Sequence, residues 1–439
     1  MKPSTMAAVM LVIGLIIGGA VGYGAFALSS TPKTTTQTIS GCTQSSTNST
    51  ETCTLGVVFP LTSSLSAFGK SFVQGVQLAV SQLNANLSQS GSNVRFATVV
   101  ADDAGTPAGA LSAVTNLFTT DNVHVIIGPL TTAEVQGALA YAQTNKILLL
   151  PPASSGTALN LPVFGTPNSF LIRPGQPGDA FESNALSQTI LQFGIKNAVF
   201  IYSSDTSEAG TYNLTSSLLR QSGVKTTGIE VQPLQSDYTS AVSQANTQAQ
   251  TYLSSGGTVN NTAIVLNEHG TDAQEIFSEA STQSTLPTLR WFGIEALNDN
   301  ALLADAAVAA FMNQVHLTIT TLFTPGSPQG RGFLSNFQAV YGTPPEPFTN
   351  YAYDVTWIAM LSILSAGTYN AQALLPIVLV VSDHFFGSSG TPSYVDPLTG
   401  SQSIGFFAVD KIIQNGTTYE FMQIGLYDGS SNTVTLSSH

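Results

Sequence analysis

Three places along this 439-residue chain carry residue types suited to the charged ends of a small molecule. The stretch Val123-His124-Val125-Ile126-Ile127-Gly128-Pro129-Leu130-Thr131-Thr132-Ala133-Glu134 passes from a β-branched run through a Gly-Pro break into small hydroxyl residues that open a helical pattern. That is how a buried parallel strand hands over to a helix. Free N–H groups at the helix start, with the Thr131 and Thr132 hydroxyls beside them, can cradle a carboxylate. The same residues also suit a plain helix N-cap. Pro151-Pro152-Ala153-Ser154-Ser155-Gly156, after the apolar run Ile147–Leu150, repeats this hydroxyl chemistry without any cation, which favours a carboxylate over a phosphate. Glu295 closes the run Leu289–Ile294, where a carboxylate can pair with a ligand ammonium or stand as an exposed loop acid.

Other chemistries find no motif. Gly69-Lys70-Ser71 lies between a strand and a helix but has Ser64 where a phosphate-binding loop needs glycine. The histidines at 124, 269, 316, 384 and 439 show no zinc-ligand spacing, so no metal site is expected. No Gly-x-Ser-x-Gly elbow occurs, no cofactor motif is present, and the chain is not expected to be an enzyme. A net charge of -13 without a basic run argues against nucleic acid as a partner.

The elements that position these residues alternate. Leu55–Phe59 reads as a strand, Pro60–Gly69 as a loop, and Phe72–Leu87 as a helix with apolar residues at helical spacing. Val94–Val100, then the stretch around Val125, then Ile147–Leu150 continue as strands, with helices between them. A second series follows Leu171–Gly175, with strands at Ala198–Tyr202, Lys225–Val231, Ala263–Leu266, Leu289–Gly293 and Val315–Leu322. Pro347–Gly367 is a strongly apolar helix, and Ile404–Val409 and Phe421–Leu426 read as terminal strands. Such alternation implies α/β lobes with parallel sheets and right-handed crossovers, whose ligands bind at the carboxyl ends of the strands.

Ahead of the lobes, Lys2 precedes an apolar span, Met6–Leu28, long enough for one membrane crossing, so residues 1–28 are expected to be a membrane anchor. Ala25-Phe26-Ala27 supports the competing reading of a cleaved signal. Residues 29–53 read as a Ser/Thr-rich stalk, with Cys42 and Cys53 able to pair outside the cell. Sequons at Asn48, Asn86, Asn213, Asn260 and Asn415 fit a surface glycoprotein. Only 8% of residues are charged, against roughly a quarter in ordinary globular chains. Neutral polar groups cover the surface instead, which suits an acidic external medium.

Taken together, Gly56–Thr62 through Ala67-Phe68-Gly69, Asp102-Asp103, Ile126–Pro129, Pro151–Ser155 and Tyr351-Ala352-Tyr353-Asp354 resemble the Leu/Ile/Val-binding proteins of ABC importers, with the type I periplasmic-binding fold. The resemblance implies two Rossmann-like lobes joined by a three-strand hinge, at Arg173–Gly175, Thr321–Pro325 and Gly387–Gly390. Lobe 1 is then 54–174 with 323–388, and lobe 2 is 175–322 with 389–439. It also implies that Thr132, Ala153 and Ser155 hold a ligand carboxylate, that Glu295 holds the ammonium, and that Phe68 contacts the ligand. Where the family closes over the side chain with aromatic residues, this chain has Ser207 and His269, which makes that end of the pocket wider or more polar. The family's usual disulfide in the first lobe is missing, with Ala104 and Thr131 near its places.

The function implied is extracytoplasmic binding of a branched-chain or other small amino acid, or a related amide or peptide, for ABC permease subunits. A sensory domain acting with a separate signalling partner, or a surface glycoprotein without a ligand, are the alternatives. A membrane-attached position on the outer face of the cell, or secretion after signal cleavage, is expected.

Overall fold

In a parallel sheet each strand releases the chain at the same edge, so every following helix begins there. The first lobe is built this way in the computed structural model, which describes residues 38–45, 49–322, 327–390, 393–403 and 405–437. A short strand, β1 (Thr43–Gln44), lies antiparallel beside the start of β2 (Glu51–Phe59). Strand β2 then pairs in parallel with β3 (Val94–Asp102) on one side and β4 (Val125–Ile127) on the other, and β4 pairs with β5 (Leu148–Leu150). The parallel order β3-β2-β4-β5 reverses direction at β2 and β4, the crevice where ligands bind in open α/β sheets.

The chain leaves this lobe through β6 (Arg173–Pro177) and builds a second sheet from β7 (Asn197–Ser203), β8 (Lys225–Val231), β9 (Thr262–Asn267), β10 (Arg290–Gly293) and β11 (Thr318–Leu322). Their order is β8-β7-β9-β10-β11, with a reversal between β7 and β9. A small pair, β12 (Val395–Asp396) and β13 (Ser401–Gln402), joins β6 in a separate sheet. The terminal strands β14 (Phe406–Asn415), β15 (Thr418–Asp428) and β16 (Thr433–Leu436) extend the second sheet antiparallel from β11. The expected strands and their alternation with helices are therefore present in both lobes.

The helix Thr349–Ala366 is buried nearly all round and packs on the helix Ser66–Gln89 and on β4 and β6. Asp354 on it accepts the N–H groups of Ser388 and Ser389 at 2.7 and 2.9 Å, and the Ser388 hydroxyl at 2.8 Å. The carboxylate sits so close to Gly387 that a Cβ there would meet it at 2.3 Å. Asp354 thus clips the segment after the helix Ala371–His384 onto the first lobe.

Three expectations are corrected. The stalk ends earlier than Cys53: Ile39 is buried in the first core, its N–H donates to Glu51 at 2.5 Å, and β2 begins at Glu51. An apolar anchor and a cystine bridge between Cys42 and Cys53 hold residues 38–45 to the lobe. Residues around 395–400 pack on the first lobe rather than the second. Val395 belongs to the first core, and the carbonyls of Pro397 and Thr399 accept from Val163 and Leu161. The third passage between lobes therefore follows Gly400 instead of Gly390. Last, the helix read from Phe72 begins at Ser66, inside the expected loop. Residues 1–28, the sequon at Asn48 and 323–326 within the second passage lie outside the described residues, among which no helix is long and apolar enough to cross a membrane.

Replacing Cys42 by Ser opens a loop of sequence separation 11 and is expected to lower the unfolding free energy by about 3 kcal/mol in a urea titration. Reducing agent should have the same effect on the wild-type chain and none on Cys42→Ser.

Candidate functional site

A cavity of about 370 Å³ lies between the lobes, lined by the ends of β2, β4 and β5 on one side and of β7, β9 and β10 on the other. It holds Phe68, Thr131, Thr132, Ala153 and Ser155 opposite Ser207, His269 and Glu295. All the residues singled out in the sequence as ligand contacts thus share one cleft.

The two hydroxyl residues after β4 divide the work. Thr131 is the N-cap of the helix Thr132–Asn145: its hydroxyl accepts the Glu134 N–H at 3.3 Å, while Glu134 accepts the Thr131 and Leu130 N–H groups at 2.8 and 3.1 Å. This capping box commits the Thr131 side chain to the helix. The Thr132 hydroxyl accepts the Gly156 N–H at 3.1 Å, tying the β4 loop to the β5 loop. Thr132 and Ala133 line the cavity, and their N–H groups, at the first positions of the helix, have no intrahelical acceptor. Gly128 makes the turn possible: φ is +111°, and a Cβ there would lie 2.1 Å from the Val58 carbonyl oxygen.

Arg173 holds the second loop. Buried to 1% exposure, it donates to the Ser154 and Gly156 carbonyls at 3.1 Å each and to Asn160 Oδ1 at 2.5 Å. Burial lowers its pKa to about 10, with Asp179 opposing that shift. Arg173 is a positioning residue on the first passage between lobes, so Ala153 and Ser155 are presented by a rigid frame.

The second lobe offers a different surface. Glu295 is 5% exposed, and its Oε2 has no hydrogen-bond partner in the protein. Its N–H donates to Glu182 Oε1 at 2.7 Å. Burial raises the pKa of both carboxyls and Asp179 raises both further; Glu182 also raises Glu295, while the Glu295 N–H lowers Glu182. Asp179, on the first turn of the helix Asp179–Gln192, accepts the Ser207 hydroxyl at 2.8 Å, and its N–H donates to the Ser155 carbonyl at 3.0 Å. It spans the cleft floor. Farther along, at the reversal between β7 and β9, Asp205, Glu208 and His269 converge, with potential ligand atoms all within 4.8 Å of one another. His269 Nε2 lies 3.8 Å from Glu208 Oε1. Burial alone would lower its pKa, but Glu208, Glu268, Asp205 and Asp272 outweigh this and hold it above the usual value.

The sequence reading missed Asp179, Glu182, Asp205, Glu208 and Asp272, and found no metal-type cluster. The acids sit in or beside the first turns of helices, where acidic residues are ordinarily taken as caps. Asp205 occupies an N-cap position yet makes no side-chain cap bond, and nothing in its local sequence distinguishes it from a working cap. His269 comes from a different strand, so spacing along the chain could not reveal the cluster.

The fold and cleft define a two-lobed solute-binding protein with no catalytic constellation among the described residues. A family model for periplasmic binding proteins matches residues 52–376, and the chain belongs to that family, whose members are non-enzymatic. It is 20% identical over 417 residues to an uncharacterized protein, MJ1266, of Methanocaldococcus jannaschii, covering 90% of this chain and 96% of that one. A leucine-binding protein, LivK, of Thermotoga maritima superposes with a TM-score of 0.68 at 18% identity, over 84% of this chain and 97% of that one. An ABC-transporter solute-binding protein of R. palustris in complex with benzoate gives 0.67 at 14% identity, over 84% and 95%. The chain is thus an extracytoplasmic solute-binding protein related to branched-chain amino-acid binders, and the fold is shared by proteins with different ligands.

Buried carboxyls make stability depend on pH in an uncommon direction. Burial raises Asp103 and Asp354 to about 6, Glu134 to about 7 and Glu268 to about 8, from ordinary values of 3.8 to 4.5. Asp103 also raises Glu134, and Asp102 raises Asp103. Between the ordinary and the raised value each group keeps its proton when folded and loses it when unfolded, so stability falls as pH rises through that window. The ligand-free melting temperature should rise steadily from about pH 8 down to about pH 5. A maximum at neutral pH in calorimetric scans would contradict this.

Proposed function

We propose that this protein captures a small amino acid, or a related amide or peptide, between its lobes outside the cell and presents it to the permease subunits of an ABC importer. The observation that carries the reading is the opposition, across one cavity, of a hydroxyl-and-amide cradle at Thr132, Ala153 and Ser155 and an unpartnered carboxylate at Glu295. Such a pair fits the two ends of an amino acid.

In this reading the ligand carboxylate takes the Thr132 hydroxyl and N–H and the Ser155 side of the second loop. Its ammonium takes Glu295, with the Ala153 carbonyl as a second acceptor. Phe68, half-buried at the cleft edge, covers the apolar part of the ligand. Since these groups belong to both lobes, ligand contacts made on both sides favour the closed arrangement, and hinge motion follows from that difference in affinity. Residues 1–28 would tether the receptor to the outer membrane face. The sequons at Asn86, Asn213, Asn260 and Asn415 are exposed and open to glycosylation.

Glu295→Gln keeps the shape but removes the charge that meets the ammonium. It is expected to weaken amino-acid binding by roughly a hundredfold in titration calorimetry, with the fold intact by circular dichroism. Unchanged affinity would refute the role. Thr132→Val should weaken the same ligand and keep the Thr131 capping box, while lowering the melting temperature by a few degrees, since the Gly156 N–H loses its acceptor.

A further inference from the structure

The second-lobe wall of the cleft carries more carboxyl groups than one ligand ammonium can answer. At the reversal between β7 and β9, Asp205 and Glu208 project from the start of the helix Thr206–Gln221, and His269 stands at the start of the helix Gly270–Ser281. Asp272, one helical turn on, accepts the Leu234 N–H at 2.7 Å and lines the same wall. His269 is the one basic side chain among the described residues lining the cavity, and it can answer one carboxylate, Glu208 at 3.8 Å. Behind it Glu268 is fully buried, with Oε2 lacking any hydrogen-bond partner. Near the β10 end, Glu182 and Glu295 form a second buried acidic pair, and Glu295 Oε2 is also without a partner.

Helix N-termini explain why carboxylates are tolerated here, since each offers partial positive charge. They do not explain an unpartnered buried carboxylate oxygen on a cavity wall, which ordinarily costs free energy unless something meets it. An aliphatic side chain entering this end would strip water from Asp205 and Glu208 and return nothing. A chain with an apolar stem and a cationic tip would pack its stem on Phe68 and Leu234 and bring its charge to the acids.

We infer that the ligand carries two separated positive charges, its α-ammonium at Glu295 and Glu182 and a terminal ammonium or guanidinium at Asp205 and Glu208. The selected class is basic amino acids. This rests on the amino-acid reading proposed above and names its side-chain specificity.

The test is calorimetric titration of the full chain with L-lysine, L-leucine and zinc chloride near pH 7 and about 0.15 M salt, and of the Asp205→Asn/Glu208→Gln variant. Lysine is expected to bind at least roughly tenfold tighter than leucine, and the variant to lose that preference while leucine affinity changes by less than about threefold. Wild-type lysine affinity should also fall more steeply with salt than leucine affinity, a readout that stands even if the variant does not fold. Leucine binding as tightly as lysine, or equal salt slopes, would overturn the inference and leave the amino-acid reading intact. Zinc binding abolished in the variant without any lysine preference would overturn it in favour of a metal. Failure of both amino acids to bind would overturn the inference together with the reading beneath it.

Discussion

The structure depends on a geometric constraint of parallel sheets. Strand ends and helix starts gather at one edge, so two such lobes set face to face surround a cleft with unpaired backbone N–H groups and their partial positive charge. This chain resolves the two faces differently. On the first lobe the helix start at Thr132 keeps part of its donor set open, because the capping box is completed by Thr131 and Glu134. On the second lobe the helix starts carry Asp179, Glu182, Asp205, Glu208 and Asp272. One wall is thus richer in open N–H donors and the other in carboxyls, a polarity that, in the function proposed, would orient a molecule with an anionic end and a cationic end.

The polarity is held by few rigid contacts. Arg173 fixes the β5 loop through three carbonyl and amide oxygens, Thr132 joins that loop to the β4 loop, and Asp179 connects the cleft floor to both Ser155 and Ser207. Asp354 secures the segment at Ser388 and Ser389 far from the ligand. Each ties separate segments together, three of them through a buried charged group, so the loops of the site are held in place while narrow passages join the lobes. The scarcity of surface charge and the raised pKa of several buried carboxyls act together, since both make acid less damaging to this chain than to one stabilised by exposed ion pairs.

Much of this was legible in the sequence. Alternating apolar runs and helical spacing give both lobes, the strand-end rule puts Thr132, Ser155 and Glu295 at strand ends, and the resemblance to Leu/Ile/Val-binding proteins implies that they share one cleft. At Thr131-Thr132 the helix cap falls to Thr131, while Thr132 lines the cleft outside that cap. What stayed hidden has physical causes. Ile39 is a lone apolar residue in a polar run, so its burial and the earlier start of β2 at Glu51 left no periodic trace. The packing of residues 395–400 on the first lobe depends on tertiary contacts, such as those of the Thr399 and Pro397 carbonyls with the Leu161 and Val163 N–H groups. Asp205, Glu208 and His269 meet only because β7 and β9 are neighbours in space. An acidic residue in a helix's first turn carries the same local signal whether it caps or binds.

The most direct measurement is a crystal structure of the complex with the amino acid that binds most tightly. The ligand carboxylate should lie within hydrogen-bonding distance of the Thr132 hydroxyl and amide, with its α-ammonium on Glu295. A ligand bound in the opposite sense, with its carboxylate toward Glu295, or one seated outside this cleft, would contradict the polarity on which the account is built.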